Sequence, residues 1–593
     1  MCGICGEFRF DHQTPDLALT HRMMTKLERR GPDHGGSYSD GPIALGHRRL
    51  SIIDLTEHAN QPMVDQALGL ALVFNGTIYN YPSLRSQLQT LGYRFFSNGD
   101  TEVILKAYAE WGDACVEKLH GMFAFAIWDM RKQRLMLARD RMGIKPLYYT
   151  FNNQRLRFAS NMQALLAAGD LDTSISSVGL HHQLTLHAVI PAPNTILNGV
   201  KKMRPAHTMC FQADGSCHEQ RYWQLKATRP QQTMTEQDWV DAIHDSLRSA
   251  VEKRKTIADV PVGVLLSGGL DSCLLVGLLS EAGVGNLKTF TVGFEDQPEE
   301  KGNEFEFSDQ VVDKFGTEHH KFFIRNDRVL DYLPDAVDVM AEPMVGQDAV
   351  AFYMLSEQVS REVKVVQSGQ GADEVFAGYF WYPQMHEAQD EDELTRFASR
   401  YFDRDHDEYL ETVAAQYHGA DHTGQLIAKL LAEGDADEYL DKVLRLDVTT
   451  LIVDDPVKRV DNMTMAWGLE ARVPFLDHEL VELAASMPPQ MKLQSQGKHV
   501  LKKIARGLLP DAVIDRPKAY FPVPALKYVR GEFLDFMREI LHSETARQRG
   551  LFQPDYVEKL LASPEDYHTR LQGSKLWHLA LLEMWLQRNV DGV

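Results

Sequence analysis

The sequence has 593 residues and a formal net charge of −21 at pH 7. It is too long for a single hydrophobic core and too acidic for a protein that binds nucleic acid without sequence preference. No apolar run approaches the roughly 20 residues of a membrane span, and the first residues lack the pattern of a secretory signal, so we expect a cytoplasmic protein.

The first third of the sequence consists largely of short apolar segments bounded by Gly, Asp and Asn turns. Such segments predict strands, which we expect at 43–45, 70–74, 122–128, 134–137 and 147–150. The sequence then becomes polar and irregular before an amphipathic helix that begins near Glu236. We therefore predict a first domain over 1–215, mostly sheet, and a linker over 216–236.

The remaining sequence alternates short apolar strands with longer helical patterns. Strands are expected at 262–266, 289–293 and 363–367, with helices from about Cys273 and over 308–315. This alternation is typical of a parallel sheet covered on both faces. We predict a second α/β domain over 237–593, and we interpret the acidic stretch at about 385–447 as a solvated helical insertion rather than a site.

Cys2 becomes the amino-terminal residue if Met1 is removed. A free α-amine titrates near pH 8 and can serve as general base for a thiol on the same residue, which is the chemistry of N-terminal nucleophile enzymes. Two other interpretations stay open here. Cys2 could be a small buried residue at the start of a strand, or half of a metal or redox pair with Cys5, although no second pair or His cluster completes a zinc site.

Six segments resemble, in order and spacing, the glutaminase domain of class II glutamine amidotransferases; they lie at 30–33, 47–54, 75–80, 99–102, 121–126 and 139–149. The resemblance implies an αββα domain of the N-terminal nucleophile type. It implies that Cys2 attacks the side-chain amide of glutamine, while the Asn75 side chain and the Gly76 backbone N–H donate to the oxyanion.

The same resemblance implies which residues bind the α-carboxylate and the α-ammonium of glutamine. Arg49 is expected to bind its carboxylate bidentately, and Asp100 its ammonium. The alternative is that Arg49 and Asp100 form a surface ion pair in a loop. Many relatives have Glu where this sequence has Thr77, so a third contact to the ammonium is either absent or replaced.

A glycine turn follows the strand predicted at 262–266. Its residues run Ser267-Gly268-Gly269-Leu270-Asp271-Ser272 and open a helix, so backbone N–H groups and the helix dipole favour phosphate there. The turn resembles the SGGxDS pyrophosphate loop of enzymes that split ATP into AMP and pyrophosphate. No GxxxxGK[ST] of the ATP-to-ADP class occurs.

Together the two sets of motifs resemble the glutamine-hydrolysing asparagine synthetase family, from residue 2 to about 530. The resemblance implies ATP and Mg²⁺, with Asp271 and Asp373 as metal ligands and Lys498 stabilising phosphate and acyl-adenylate charge. It implies further ATP contacts from Leu265, Ser267, Gly268, Gly269, Ser272, Val292, Ser368 and Gly369. Some relatives use Glu as a general base at the position of Gln370, a role that an amide cannot fill.

The function implied is a glutamine-dependent ligase in which ammonia crosses an apolar channel and displaces AMP from an acyl-adenylate. The segment 180–197 and residues 1–10 resemble a subgroup that amidates N-acetylglutaminylglutamine, an osmoprotectant dipeptide, and we favour that acceptor. The alternative acceptor is aspartate, which gives asparagine. Partners would be these small molecules and, by family habit, a second copy in a homodimer, with no nucleic acid or membrane.

Two further interpretations stay open. A catalytically inactive sensor or scaffold could keep the fold, and retention of Met1 would favour it. Ring closure of the β-lactam synthetase type shares the second domain but has no use for a glutamine nucleophile, so Cys2 argues against it.

Overall fold

The computed structural model describes residues 2–296, 301–516 and 524–592. Met1, whose removal would free the amine of Cys2, lies outside the described residues. No helix within these ranges is both long and apolar enough to cross a membrane.

The amino-terminal part contains antiparallel strands, in chain order β1 (Cys2–Arg9), β2 (His34–Asp40), β3 (Ile43–Arg49), β4 (Met63–Asp65), β5 (Leu70–Ile78), β6 (Gly121–Asp129), β7 (Arg134–Arg139), β8 (Tyr148–Phe151), β9 (Arg155–Ala159), β10 (Lys201–Lys202), β11 (His207–Gln212) and β12 (Cys217–Arg221). They form two sheets, with strand orders β10-β8-β9-β1-β3-β2 and β12-β11-β7-β6-β5-β4.

The helices of this part are α1 (Leu17–Thr25), α2 (Tyr81–Thr90), α3 (Asp100–Trp111), α4 (Cys115–Lys118), α5 (Met162–Ala168) and α6 (Ser177–Thr185). The two sheets pack face to face through alternate strand residues such as Ile4, Phe8, Val73 and Trp128. α1 and α5 cover the outer face of one sheet, and α2 and α3 cover that of the other. The layers therefore run helix, sheet, sheet, helix, as predicted.

The second part is built on a parallel sheet of order β15-β14-β13-β16-β17, with β13 (Val262–Leu265), β14 (Lys288–Phe294), β15 (Glu318–Ile324), β16 (Val365–Gln367) and β17 (Glu470–Arg472). Its strands are buried apolar runs of the kind that helices cover on both faces. The predicted α/β class is confirmed.

Helices around and beyond this sheet are α7 (Glu236–Thr256), α8 (Leu270–Glu281), α9 (Phe305–Phe315), α10 (Asn326–Val339), α11 (Asp348–Val359), α12 (Ala372–Val375), α13 (Trp381–Glu387), α14 (Glu393–Tyr401), α15 (His406–Thr412), α16 (His422–Leu431), α17 (Tyr439–Leu446), α18 (Lys458–Met465), α19 (His478–Ala485), α20 (Pro489–Leu493), α21 (His499–Ala505), α22 (Asp511–Ile514), α23 (Pro524–Lys527), α24 (Gly531–His542), α25 (Glu544–Arg549), α26 (Pro554–Ala562) and α27 (Lys575–Leu586). α7 begins with a capping box between Thr235 and Asp238, which fixes its first turn.

The two parts share buried ion pairs and an apolar core. Asp461 of the second part accepts from Arg30 Nη1 at 2.8 Å and from Lys145 Nζ at 2.9 Å. Lys202 Nζ contacts Glu342 at 2.6 Å and Asp454 at 2.5 Å. Leaving any of these charges unpaired in the interior would cost several kcal/mol, so the pairs fix how the parts dock.

Two sequence predictions need correction. β12 lies inside the predicted linker at 216–236, so the second sheet continues to Arg221. All five β12 residues are exposed, so this edge strand has no apolar pattern to reveal it. The acidic stretch at 385–447 is helical as predicted, but it is not simply solvated, because Asp441 and Asp447 are buried. The division into domains itself stays a prediction.

Candidate active sites

Cys2 lies at the start of β1, directly opposite Arg49 of β3. Its main-chain nitrogen donates to Asn75 Oδ1 at 3.0 Å, and burial raises the pKa of its thiol. Cys5 is three residues further along an extended strand, so its side chain points to the opposite face and into a different core. The Cys2–Cys5 pair therefore does not form a metal or redox site.

Asn75 is poised to donate beside Cys2. It is fully buried, its Oδ1 is taken by the Cys2 nitrogen, and its Nδ2 has no acceptor among the described residues. A buried donor without a partner costs about 1 to 3 kcal/mol, so the position fits a ligand oxygen. Gly76 follows it in the strand, where a Cβ would lie 2.1 Å from the Met122 carbonyl oxygen, so no side chain fits.

Arg49 and Asp100 both line the pocket at Cys2, called here the Cys2 pocket. The Arg49 guanidinium donates to the Thr56 carbonyl at 2.9 Å and to Asn60 Oδ1 at 2.7 Å, and no described carboxylate pairs with it. Asp100 accepts from the Ile78 N–H at 3.0 Å, and burial raises its pKa to about 6. The alternative of a surface ion pair is wrong, because both side chains are buried and neither pairs with the other.

A carboxylate from the second part completes this pocket. Glu470, on β17, lines it and accepts from Thr77 Oγ1 at 3.3 Å. Burial acts to raise the pKa of Glu470, but Arg472, whose Nε lies 2.5 Å away, and Lys145 with other nearby positive charge together lower the pKa to about 2. Glu470 therefore stays ionised. Glu470 is not among the residues predicted from the sequence. Thr77, which stands where many relatives have Glu, was the one signal that another residue has to supply a negative charge here.

A second pocket of about 250 Å³, the loop pocket, lies at the carboxyl end of β13. Ligands bind in this position in open α/β sheets. Among the predicted residues that line it are Leu265, Ser267, Gly269, Asp271, Ser272, Val292, Ser368, Gly369, Asp373 and Lys498. Residues distant in sequence, such as Val292 and Lys498, are thus brought together.

The turn before α8 has the shape of an anion cradle. Gly268 has φ +82°, and a Cβ there would lie 3.0 Å from the Glu304 carbonyl oxygen, so the turn requires glycine. Gly268 itself is outside the pocket lining, and its carbonyl accepts from Arg516 Nη1 at 3.1 Å. Gly269 N-caps α8 without a side-chain hydrogen bond, which leaves the helix N-terminus facing the pocket.

Lys498 joins the two acids predicted to bind metal. Its Nζ is 2.6 Å from Asp271 Oδ2 and 2.8 Å from Asp373 Oδ1. Two carboxylates that converge on one point, at the mouth of a phosphate-sized turn, are the oxygen donors that Mg²⁺ prefers. The residues therefore fit the ion.

A third pocket of about 180 Å³, the adjoining pocket, shares Asp348 with the loop pocket. Aromatic side chains form one wall, where the rings of Tyr379 and Trp381 stack with centroids 4.2 Å apart. Other residues on its wall are His187, Gln347, Glu374, Tyr401, Asp447, Arg459 and Lys527. Tyr401 and Asp447 belong to the stretch predicted to lie outside any site, which is a further correction.

β17 contacts both the Cys2 pocket and the loop pocket. The Glu470 side chain faces the former, while the Arg472 carbonyl two residues later accepts from the N–H of Ser368, which lines the latter, at 2.8 Å. Around the strand, first-part residues Leu50, Met122, Met142 and Ile144 share one apolar core with Val473 and Phe475. β17 therefore contributes a side chain to the Cys2 pocket and is hydrogen-bonded to a residue that lines the loop pocket.

Comparison with protein families gives two matches. A family model described as "Asparagine synthase" matches residues 242–587, and one described as "Glutamine amidotransferase domain" matches residues 1–223.

Curated relatives align over nearly the whole chain. "Asparagine synthetase [glutamine-hydrolyzing] 1" of Bacillus subtilis (strain 168) is 31% identical, covering 100% of this chain and 97% of the relative. "Asparagine synthetase [glutamine-hydrolyzing] 3" of the same organism is 32% identical, with 99% and 98% covered. "Asparagine synthetase B [glutamine-hydrolyzing]" of Escherichia coli (strain K12) is 29% identical, with 93% and 86% covered.

Proposed function

The chain belongs to the asparagine synthase family and is a glutamine-dependent carbon–nitrogen ligase, and we propose that it amidates the free carboxylate of an N-acetylglutaminylglutamine-type dipeptide through an acyl-adenylate. The observation that carries the proposal is the adjoining pocket. It opens from the loop pocket and has an aromatic wall.

In the first half reaction, the Cys2 thiol would lose its proton to its own α-amine once Met1 is absent. The thiolate attacks the side-chain carbonyl of glutamine, and the oxyanion accepts from Asn75 Nδ2 and the Gly76 N–H. Collapse expels ammonia and leaves a thioester, which water hydrolyses to glutamate. Arg49 would bind the glutamine carboxylate, and Asp100 with Glu470 its ammonium. The unpaired Nδ2 and the un-neutralised Arg49 support these roles.

In the second half reaction, the acceptor carboxylate attacks the α-phosphorus of ATP and expels pyrophosphate. The Ser267–Ser272 turn would bind the phosphates through its N–H groups, with Leu265, Val292, Ser368 and Gly369 against the nucleoside. Mg²⁺, held by Asp271 and Asp373, would neutralise phosphate charge. Lys498 would then stabilise charge on the transferred phosphoryl group.

Ammonia must reach the acyl-adenylate unprotonated, because ammonium is not a nucleophile. We propose that ammonia passes among the apolar side chains around β17, which would exclude water from it. At the acyl carbon ammonia displaces AMP and loses one proton. Gln370 lines the loop pocket but cannot take that proton, so water or an AMP phosphate oxygen would accept it.

Two features of the adjoining pocket favour a dipeptide over aspartate. His187 lies on its wall and belongs to the segment 180–197, whose sequence carries the resemblance to the dipeptide subgroup. The stacked Tyr379 and Trp381 rings offer a flat apolar surface on which the methylene groups and planar amides of a dipeptide can pack, whereas aspartate has a single methylene group. Aspartate remains the alternative.

The test is to incubate the protein with ATP, Mg²⁺ and glutamine, add either N-acetylglutaminylglutamine or aspartate, and measure AMP and the amide product. AMP release with the dipeptide is expected. AMP release with aspartate alone would refute the dipeptide assignment. Cys2→Ala should abolish glutamine use and keep activity with added ammonium; loss of both would contradict the division of labour between the two pockets.

A further inference from the structure

A cluster of imidazoles joins the amino-terminal part to the helical insertion, away from the three pockets described above. His181 lies on α6, His406 is the first residue of α15, and Asp421 is the N-cap of α16. His181 Nε2 is 3.0 Å from His406 Nδ1 and 3.7 Å from Asp421 Oδ1. The three atoms all lie within 4.8 Å of one another. Each comes from a different helix terminus or face, so their convergence depends on the tertiary fold.

The hydrogen bonding and burial of His181 favour metal binding through its Nε2 atom. Its Nδ1 is 2.7 Å from Thr423 Oγ1, and its side chain is 1% exposed. If that nitrogen carries the proton and donates it to Thr423, Nε2 is left with a bare lone pair facing His406 and Asp421. Most metal-bound histidines are oriented by a hydrogen bond of this kind, donated by the ring nitrogen that does not bind the metal.

We propose that His181 Nε2, His406 Nδ1 and Asp421 Oδ1 bind one divalent transition-metal ion, with Zn²⁺ as the ion that fits best. Bonds of about 2.0 to 2.1 Å in a tetrahedron separate neighbouring ligand atoms by roughly 3.3 Å, which lies between the two measured separations. Two imidazoles and a carboxylate suit Zn²⁺, whereas Mg²⁺ and Ca²⁺ prefer oxygen alone. The Asp421 side chain is 39% exposed, so water can complete the coordination.

The competing interpretation is a plain hydrogen bond between the two imidazoles. It requires a proton on one of the two facing nitrogens, His181 Nε2 or His406 Nδ1, whereas the metal requires both of them to be unprotonated. The hydrogen bond uses only the two histidines, whereas the metal also uses Asp421, whose Oδ1 is 3.7 Å from His181 Nε2. Asp421 Oδ1 already accepts from the Gly424 N–H at 2.7 Å, and a carboxylate oxygen can accept that bond and bind a cation together.

A metal here would tie α6 to the insertion. The insertion contributes Tyr401 and Asp447 to the adjoining pocket, and α6 begins the segment that contributes His187. We therefore assign the ion a structural role, in which it holds these two pocket walls in register. The role does not depend on which acid is amidated.

The experiment measures metal in the purified full-length chain by mass spectrometry, with and without a chelator. About one zinc per chain is expected. His406→Ala and Asp421→Asn should lose it, and Asn preserves the α16 cap, so the second variant stays folded. His542→Ala is the matched control, because His542 pairs with Glu558 at the surface and should keep the metal.

Chelation should lower the melting temperature of the wild-type chain and of His542→Ala but not that of the two site variants. If the protein is isolated without metal, added Co²⁺ should give the visible absorption of a tetrahedral site in the wild type alone. Absence of bound metal together with no Co²⁺ spectrum would overturn the proposal. So would metal retained in both His406→Ala and Asp421→Asn.

Discussion

The substitution Glu470→Gln is expected to impair glutamine hydrolysis while leaving ammonium-dependent synthesis unchanged. Glu470 occupies the side of the Cys2 pocket where Thr77 replaces the Glu of many relatives, and Thr77 Oγ1 donates to it. We therefore expect Glu470 to supply the missing anionic contact to the ammonium of glutamine. The change to Gln keeps size and an acceptor oxygen but removes the charge.

The magnitude follows from the contact that is lost. A hydrogen bond to a charged group contributes about 1.5 to 3 kcal/mol, and each 1.4 kcal/mol is a factor of ten, so the KM for glutamine should rise roughly 10- to 150-fold. Synthesis driven by added ammonium does not require glutamine binding and should be unchanged. The measurement is steady-state glutaminase kinetics beside ammonium-dependent AMP release.

The buried Arg472 complicates this variant, because it loses its anion. Removing one partner of a buried ion pair costs about 3 to 5 kcal/mol, so the melting temperature must be measured as well. Thr77→Glu in the Glu470→Gln background returns a carboxylate to the pocket and should recover glutamine affinity. A folded Glu470→Gln enzyme with an unaltered KM for glutamine would refute the reasoning, as would equal loss of both activities.

Three other changes test the remaining parts of the site. Because burial raises the pKa of Asp100 to about 6, the residue is protonated below that pH, so kcat/KM for glutamine hydrolysis should fall as pH drops through 6; a flat profile down to pH 5 contradicts this. Lys498→Met should lower AMP formation about 100- to 1000-fold and spare glutaminase activity. Trp381→Phe should raise the KM for the acceptor dipeptide roughly 2- to 10-fold without altering that for ATP.

The sequence predicts features whose residues are local. The Ser267–Ser272 turn is contiguous, and the φ of +82° at Gly268 explains one of its glycines, so the loop and the start of the helix could be predicted together. The strand at 122–128 could also be predicted, because its apolar run is typical of a strand that is fully buried between a sheet layer and a helix layer. In both cases the short-range pattern and the tertiary environment agree.

Features that depend on long-range docking could not be predicted. Glu470 is 393 residues from its partner Thr77, and no pattern in either segment indicates that they meet. β12 is polar and exposed, so only its pairing with β11 reveals a strand. Asp447 belongs to an acidic stretch, yet it is buried and accepts a hydrogen bond from Tyr382 Oη. Nothing in the local sequence indicates this burial.

The placement of β17 leads to a coupling between the two reactions. Val365 pairs with Glu470 and Gln367 with Arg472 across β16 and β17, and Ser368, the next residue, lines the loop pocket. Because the Ser368 N–H donates to the Arg472 carbonyl, we expect a displacement of Ser368 by ATP to shift β17 and Glu470 with it. The Kd for glutamine should therefore change when ATP is bound, and by thermodynamic reciprocity glutamine should alter the Kd for ATP by the same factor. Glu470→Gln should abolish the dependence; if the dependence survives, the coupling runs through other contacts between the parts.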